Sequence, residues 1–366
     1  MLRISRVIAS IYLLATILMA TTTVIFGPIG WSPFPLAAAA PPIRVELAVS
    51  SEKEAWIRSA LERFAQTNPN INGRRIEVRF RVAGSRGLIE AIEREGYQPT
   101  AISPASMIQI DELRQIRPDL LRDSVSPLVF SPIVAIMREA ESTAGITNPW
   151  LLWQRELPER AKAVKVGISS PVSSNGGIQT LIILAAQYHQ TTQLNVSQVR
   201  DSGFHDWLRQ LEVQAWSDST GTLTTDFVIR PGVYDIITTY ESLALQVFRQ
   251  AEGRSLRVRV YYPEATLLSD HPFTILTAPW VDDAERAAAL RLRDFLLSPS
   301  EQTIAMREYG FRPVIPQVTI NLDDQDSLFG RYRDLGLQLD LKTQLENPSQ
   351  AVVEALISTW QDVFNQ

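Results

Sequence analysis

The chain has 366 residues, 45% hydrophobic and 20% charged, enough to pack the core of two lobes or of one large α/β domain. It contains no cysteine, which excludes disulfides, thiol catalysis, zinc–cysteine sites, iron–sulfur clusters and a thioether-linked lipid anchor. Arg3 and Arg6 are the only charges in the first forty residues, so 33 basic side chains face 40 acidic ones in the remainder, a balance that argues against nucleic acid as a partner.

Residues 1–27 read as a signal peptide or signal anchor. Arg3 and Arg6 precede the apolar run Val7 to Phe26, which is long enough to span a bilayer and ends at Gly27-Pro28. The basic side stays in the cytoplasm, so the body is expected outside, in the periplasm or beyond the cell. Ala37-Ala38-Ala39 offers a cleavage site far from the apolar run, which leaves both an anchored and a secreted form open. Residues 28–42 read as a linker, rich in Pro and Ala.

Strands and helices then alternate. Ile43 to Val49 reads as a strand and Lys53 to Thr67 as a helix with Trp56, Ile57, Ala60, Leu61 and Phe64 on one face. Arg75 to Val82 alternates strictly, with Ile76, Val78, Phe80 and Val82 inward, as a half-buried strand does. Ser85 to Glu95 is a helix and Thr100 to Ile102 a short strand. Leu128 to Met137 is a long apolar strand, followed by a second α/β segment as far as Pro263. Leu267 to Thr277 is another long strand. Helices are expected over 283–297, 299–309 and 349–364, the last with Val353, Leu356, Ile357, Trp360, Val363 and Phe364 in one stripe. This alternation predicts α/β architecture with mostly parallel sheets.

Ligands of such sheets sit beyond the carboxyl ends of the strands. The most suggestive turn is Ser169 to Gly177, SSPVSSNGG, between the strand-like Val164 to Ile168 and an apolar helix, Ile178 to Tyr188. Helix N-termini carry unpaired N–H groups, and glycines let a ligand approach the backbone closely; plain helix capping explains the same residues. Four more polar segments fall at strand ends: Ser50-Ser51, Ala83-Gly84-Ser85-Arg86-Gly87, Ser103-Pro104-Ala105-Ser106 and Thr239-Tyr240-Glu241-Ser242. Singly each reads as a cap; together they point to one shared cleft. Glu241 and Asp270 would repel an oxyanion there, so either they are structural or the ligand carries donors or positive charge.

Catalytic signatures are missing. Ser50-Ser51-Glu52-Lys53 matches S-x-x-K, but its partner motifs are absent and the match reads as chance. No nucleophile elbow, zinc helix, Walker loop or dinucleotide fingerprint occurs. His189 and His205 suit surface or packing roles, Tyr261-Tyr262 lies on an alternating strand, and Asp323 to Asp326 lacks calcium-loop spacing. No cofactor or metal is expected.

The ordered set Ile43–Ser51, Pro99–Ser106, Lys165–Gly177, Gly232–Ser242, Tyr262–Trp280 and Gly310–Pro313, with Trp360 in the last helix, resembles bacterial extracellular solute-binding proteins of the type II periplasmic-binding fold. The nearest likeness is to the subfamily often found with von Willebrand-like domains. The resemblance implies a non-enzymatic protein of two α/β lobes joined by two crossover hinge strands, Leu128–Met137 and Leu267–Thr277. Residues 43–137 plus 264–366 would form lobe one and 138–263 lobe two. By position, Ser50, Ser51, Ser85, Ser103 and Ser106 of lobe one and Ser173, Ser174, Asn175, Tyr240 and Glu241 of lobe two would contact a small polar ligand. Expected partners are an ABC permease or a von Willebrand-like envelope protein, with membrane contact through residues 7–26. Transport of a captured solute and a membrane-anchored interaction role both remain open.

Overall fold

The computed structural model describes residues 15–17, 40–153, 164–211, 215–254 and 256–364. Apart from 15–17, the expected membrane segment lies outside them. Among the described residues no helix is long and apolar enough to cross a membrane.

In chain order, the first lobe opens with β1 (Ile43–Ser50), α1 (Glu54–Gln66), β2 (Asn70–Ile71), β3 (Arg74–Ala83), α2 (Ser85–Arg94), β4 (Ala101–Ser103), α3 (Met107–Ile116) and β5 (Ser126–Pro127). The chain crosses on β6 (Val129–Arg138) to β7 (Val166–Ser169), α4 (Asn175–His189), α5 (Val196–Val199), α6 (Ser202–Arg209), β8 (Ala215–Ser217), α7 (Thr220–Ile229), β9 (Ile236–Tyr240), α8 (Glu241–Ala251) and β10 (Val258–Tyr261). It then runs through β11 (Ala265–Thr266) and β12 (Leu268–Ser269) to β13 (Pro272–Ile275). It closes with α9 (Asp283–Leu296), α10 (Pro299–Tyr309), β14 (Arg312–Pro313), α11 (Leu328–Arg331), β15 (Thr343–Gln344) and α12 (Gln350–Phe364).

Two sheets result. The first has the order β2-β3-β1-β4-β13-β5, the second β10-β6-β9-β7-β8. Each is built on three parallel strands, β3-β1-β4 and β9-β7-β8, flanked by an antiparallel crossing strand, β13 or β6. In β1, Val45, Leu47 and Val49 face α1 and α9, while Ala48 faces α2 and α3. In β6, Ile133, Ala135 and Met137 pack towards α4, and Val134 and Ile136 towards α7 and α8. Period-two side-chain alternation thus feeds a core on each face, as helices on both sides of a sheet require. The alternation of β3 holds, but only Ile76 of its inward residues is fully buried, because β3 lies one strand from the sheet edge.

Three expectations change in the folded protein. The strand expected over Leu267–Thr277 is two strands: β12 pairs with β6 beside the second sheet, and β13 pairs with β4 in the first. One continuous strand cannot follow two differently oriented sheets; the break falls at Asp270-His271, where His271 has φ +40°. The polar turn expected at Thr239–Ser242 is strand up to Tyr240 and helix from Glu241. Residues 264–366 do not all join the first lobe. Helices α9 and α10 pack on its core, whereas Leu328, Phe329 and Tyr332 pack beside α8, and Val353, Leu356, Ile357 and Trp360 of α12 sit in the core containing α4 and α6. The apolar stripe of α12 was legible; which lobe it covers depends on the chain's return path.

Candidate functional site at the lobe junction

The carboxyl ends of both parallel sets, where α/β sheets present their ligand sites, face each other. Ser50 and Ser103 end β1 and β4; Ser169, Ser217 and Tyr240 end β7, β8 and β9. The lobes touch here. A Cβ on Gly84 of lobe one would lie 2.6 Å from the Ser173 carbonyl oxygen and 3.0 Å from that of Asp218. A Cβ on Gly221 of lobe two would lie 3.2 Å from Ser51 Oγ. Arg86 forks onto Glu112 Oε1 (2.9 and 2.8 Å) and donates across the junction to the Val172 carbonyl at 2.8 Å. The two lobes are therefore in direct contact at this junction.

A buried ionic cluster occupies the lobe-one side. After Ser50 the chain turns through one 3-10 turn, Ser51–Lys53, which folds the Lys53 side chain back over the end of β1. Lys53 Nζ donates to Ser50 Oγ, to Glu52 Oε1 (2.9 Å) and to the Pro104 carbonyl (3.0 Å), and its side chain is 0% exposed. Three ammonium protons are thereby matched by three acceptors. Ser50 Oγ in turn donates to Glu52 Oε1. His271 Nδ1 lies 3.1 Å from the same oxygen and 3.3 Å from Lys53 Nζ, between the carboxylate and the ammonium. Burial alone would raise the Glu52 carboxyl, but Lys53, His271 and Ser50 hold it well below the usual carboxylate range. Burial, seconded by the Lys53 ammonium, pushes the His271 imidazole down to about 4, so it is neutral at pH 7. Burial also lowers Lys53, against the pull of Glu52.

From this cluster a polar chain runs into lobe two. The His271 ring packs edge-on against Tyr240 at 5.6 Å. Asn175 Nδ2 donates to Tyr240 Oη (3.0 Å) and Ser269 Oγ (3.4 Å), and Ser269 donates to Gln179 Oε1 (2.7 Å). Ser174 Oγ and Ser169 Oγ both contact Thr220 Oγ1, at 2.9 and 3.1 Å. Four buried atoms along this path, Ser103 Oγ, His271 Nε2, Asn175 Oδ1 and Gln179 Nε2, have no hydrogen-bond partner among the described residues.

The residues expected at the site divide accordingly. Ser50, Ser103, Ser174, Asn175 and Tyr240 come together in the buried path, and Ser51 and Ser173 lie at the lobe contacts. Ser85 and Ser106 are local: Ser85 Oγ accepts from Ala105 N–H (3.0 Å), and Ser106 caps α3 by accepting from Ile108 N–H (3.2 Å). Glu241 sits in a buried ion pair. Both its oxygens take the Arg312 guanidinium at 2.7 Å, Tyr262 donates to it, and Arg312 also binds the Leu339 and Gln338 carbonyls. Glu241 therefore pins the C-terminal segment to lobe two, and Arg312 is held above its ordinary value because Glu241 outweighs the effect of burial. Asp270 is likewise structural: it accepts from Met107 N–H (3.0 Å) at the start of α3.

The two glycines of SSPVSSNGG serve packing rather than ligand approach. A Cβ on Gly176 would lie 2.1 Å from Thr220 Oγ1, and one on Gly177 2.1 Å from the Ser169 carbonyl. Sequence reasoning missed Glu52, Lys53 and His271. The S-x-x-K spacing was a real signal of proximity, since one helical turn brings Lys53 onto Ser50. His271 carried no local signal; only the crossing of β13 brings it to β1.

A profile of the family described as bacterial extracellular solute-binding protein matches residues 45–312. No curated protein matches the chain. Solved structures with the same fold include the sulfate-binding protein SubI of Mycobacterium tuberculosis, at 18% identity, TM-score 0.59, covering 84% of this chain and 95% of that one. A periplasmic thiamin-binding protein aligns at 12% identity, TM-score 0.62, covering 88% and 96%. Iron-bound HitA of Pseudomonas aeruginosa aligns at 12% identity, TM-score 0.61, covering 88% and 99%. Their likeness fixes the two-lobed fold. With nearly three quarters of its length inside the family profile and this lobe arrangement, the chain belongs to the bacterial extracellular solute-binding proteins.

Proposed function

We propose that this exported protein captures a small polar solute between its lobes by hinge closure and hands it to a membrane permease of the ABC type. The observation that carries this reading is the lobe contact at the junction. Buried polar atoms ordinarily find partners, and each unpaired one costs about 1–3 kcal/mol. Ser103, His271, Asn175 and Gln179 each leave one such atom in the junction. Opening about β6 and the β12–β13 crossing lets water satisfy them, so the closed form alone is poised to open and a solute adds the stabilisation that holds it shut. Ser50, Ser103, Ser174, Asn175 and Tyr240 act in this reading as the closure surface.

Small-angle scattering and thermal melts across a panel of oxyanions, metal ions, sugars and amines test it. A true solute raises the melting temperature and reduces the radius of gyration. If no panel member does either, the capture reading fails. A second reading then gains weight: a membrane-tethered envelope interaction protein, working for instance with a von Willebrand-like partner through a constitutively closed scaffold. The Lys53 ammonium, filling the junction from within, favours that reading.

A further inference from the structure

Resting on the capture reading, we infer that the solute is a neutral, hydroxyl-rich molecule of sugar or polyol size. It occupies the cavity beside the buried cluster, lined by Ser51, Glu54 and Arg58 of lobe one and Thr222, Thr225 and Gln250 of lobe two.

In the serine-rich junction the one ammonium has no proton left for an anion, since Lys53 gives its three to Ser50, Glu52 and Pro104. Immediately outside it, on the far side of Glu52, lies a cavity of about 600 Å³. That volume falls in the range of about 300–1,000 Å³ usual for small-molecule sites. Its walls come from α1 and the 3-10 turn of one lobe and from α7 and α8 of the other, so a bound molecule senses whether the lobes are closed. A larger groove of about 890 Å³ lacks this property: it is walled by lobe two and the C-terminal segment alone, between Trp150, Gln187, Tyr262 and Lys342.

The charges of the interlobe cavity cancel. Glu52 is neutralised by Lys53, and Glu54 by Arg58 at 2.6 Å. Neither an oxyanion nor a polyamine finds an uncompensated opposite charge. Hydroxyls and amides do the recognising. Thr225 Oγ1 donates along its own helix to the Gly221 carbonyl (3.0 Å) and Thr222 Oγ1 pairs with Ser219 Oγ (2.9 Å), which leaves acceptor lone pairs on both. Gln250 adds an amide, and Leu243 an apolar patch suited to the C–H face of a sugar ring.

The test is calorimetric titration of the full chain with D-glucose, myo-inositol, sodium sulfate and spermidine, on wild type, Thr225→Trp and Ser51→Ala. Thr225 is exposed and its hydroxyl bonds only within its helix, so the Trp fills the cavity without disturbing a core. The inference expects a neutral polyol to bind and Thr225→Trp to weaken it at least tenfold, with Ser51→Ala weakening it several-fold. Binding by sulfate or spermidine alone overturns the inference and leaves interlobe capture standing. Polyol binding unchanged in both variants overturns the placement. Silence from all four probes overturns the inference; the scattering panel then decides separately whether capture survives.

Discussion

Lys53→Met is the most discriminating perturbation of the junction. The Lys53 and Glu52 side chains are 0% and 3% exposed and 2.9 Å apart. At that separation their attraction is about 6 kcal/mol for an effective dielectric of about 20, most of it offset by the cost of taking both ions out of water. Methionine keeps the length and apolar stem of lysine and deletes the charge. Glu52 is then a buried carboxylate held only by Ser50 and His271, and removing one partner of such a pair costs about 3–5 kcal/mol. For a chain of this length unfolding as one unit, that is a fall of roughly 4–6 °C in Tm. Replacing both ions, Lys53→Met with Glu52→Gln, removes the uncompensated charge, and the double variant returns to within about 2 kcal/mol of wild type or exceeds it. Urea and thermal melts of the four proteins of this cycle read out the coupling. A single variant that melts within about 1 kcal/mol of wild type, or a double variant as unstable as Lys53→Met, refutes the buried-pair account.

The His271 imidazole titrates near 4 in the folded protein, against an ordinary 6.5. Between these values the unfolded chain binds more protons, so stability falls by about 3 kcal/mol as pH drops from about 6.5 to 4. His271→Asn tolerates the positive φ and flattens that part of the pH profile; an unchanged slope rules His271 out as its source. Arg86→Met breaks the bond to the Val172 carbonyl and also unpairs the mostly buried Glu112; expect about 1–3 kcal/mol of lost stability and a larger radius of gyration by scattering, and an unchanged radius sinks the latch. Gly176→Ala drives a Cβ onto Thr220 Oγ1 and costs about 1–3 kcal/mol, partly recovered by adding Thr220→Ala; a neutral Gly176→Ala denies the close approach of α4 and α7. Glu241→Gln leaves the Arg312 guanidinium half-paired and lowers Tm by several degrees, while solute affinity in the folded fraction stays unchanged; a large affinity loss restores Glu241 as a contact.

Much of the architecture was legible in local pattern. Period-two alternation marked β3, helical periodicity marked α1 and α12, and the apolar run of β6 marked a long strand, because these signals depend only on which residues must leave water. Polar residues at strand ends located the junction, since parallel sheets present those ends together. Their individual roles were not legible. Whether a serine caps its own helix, as Ser106 does, or meets the other lobe, as Ser51 does, depends on where a distant segment lies. Glu241 could be assigned only once Arg312, 71 residues away, was seen to grip it. His271 reached Glu52 across 219 residues of sequence. The sequence by itself determined most of the elements, set by short-range hydrophobic pattern and turn chemistry, while the two-lobed class followed from the family resemblance. Only the tertiary structure decided which lobe α12 covers, that the expected cleft holds the chain's own Lys53, and that room for a solute lies beside it. Charge pairing and free volume are properties of segments that meet only after folding.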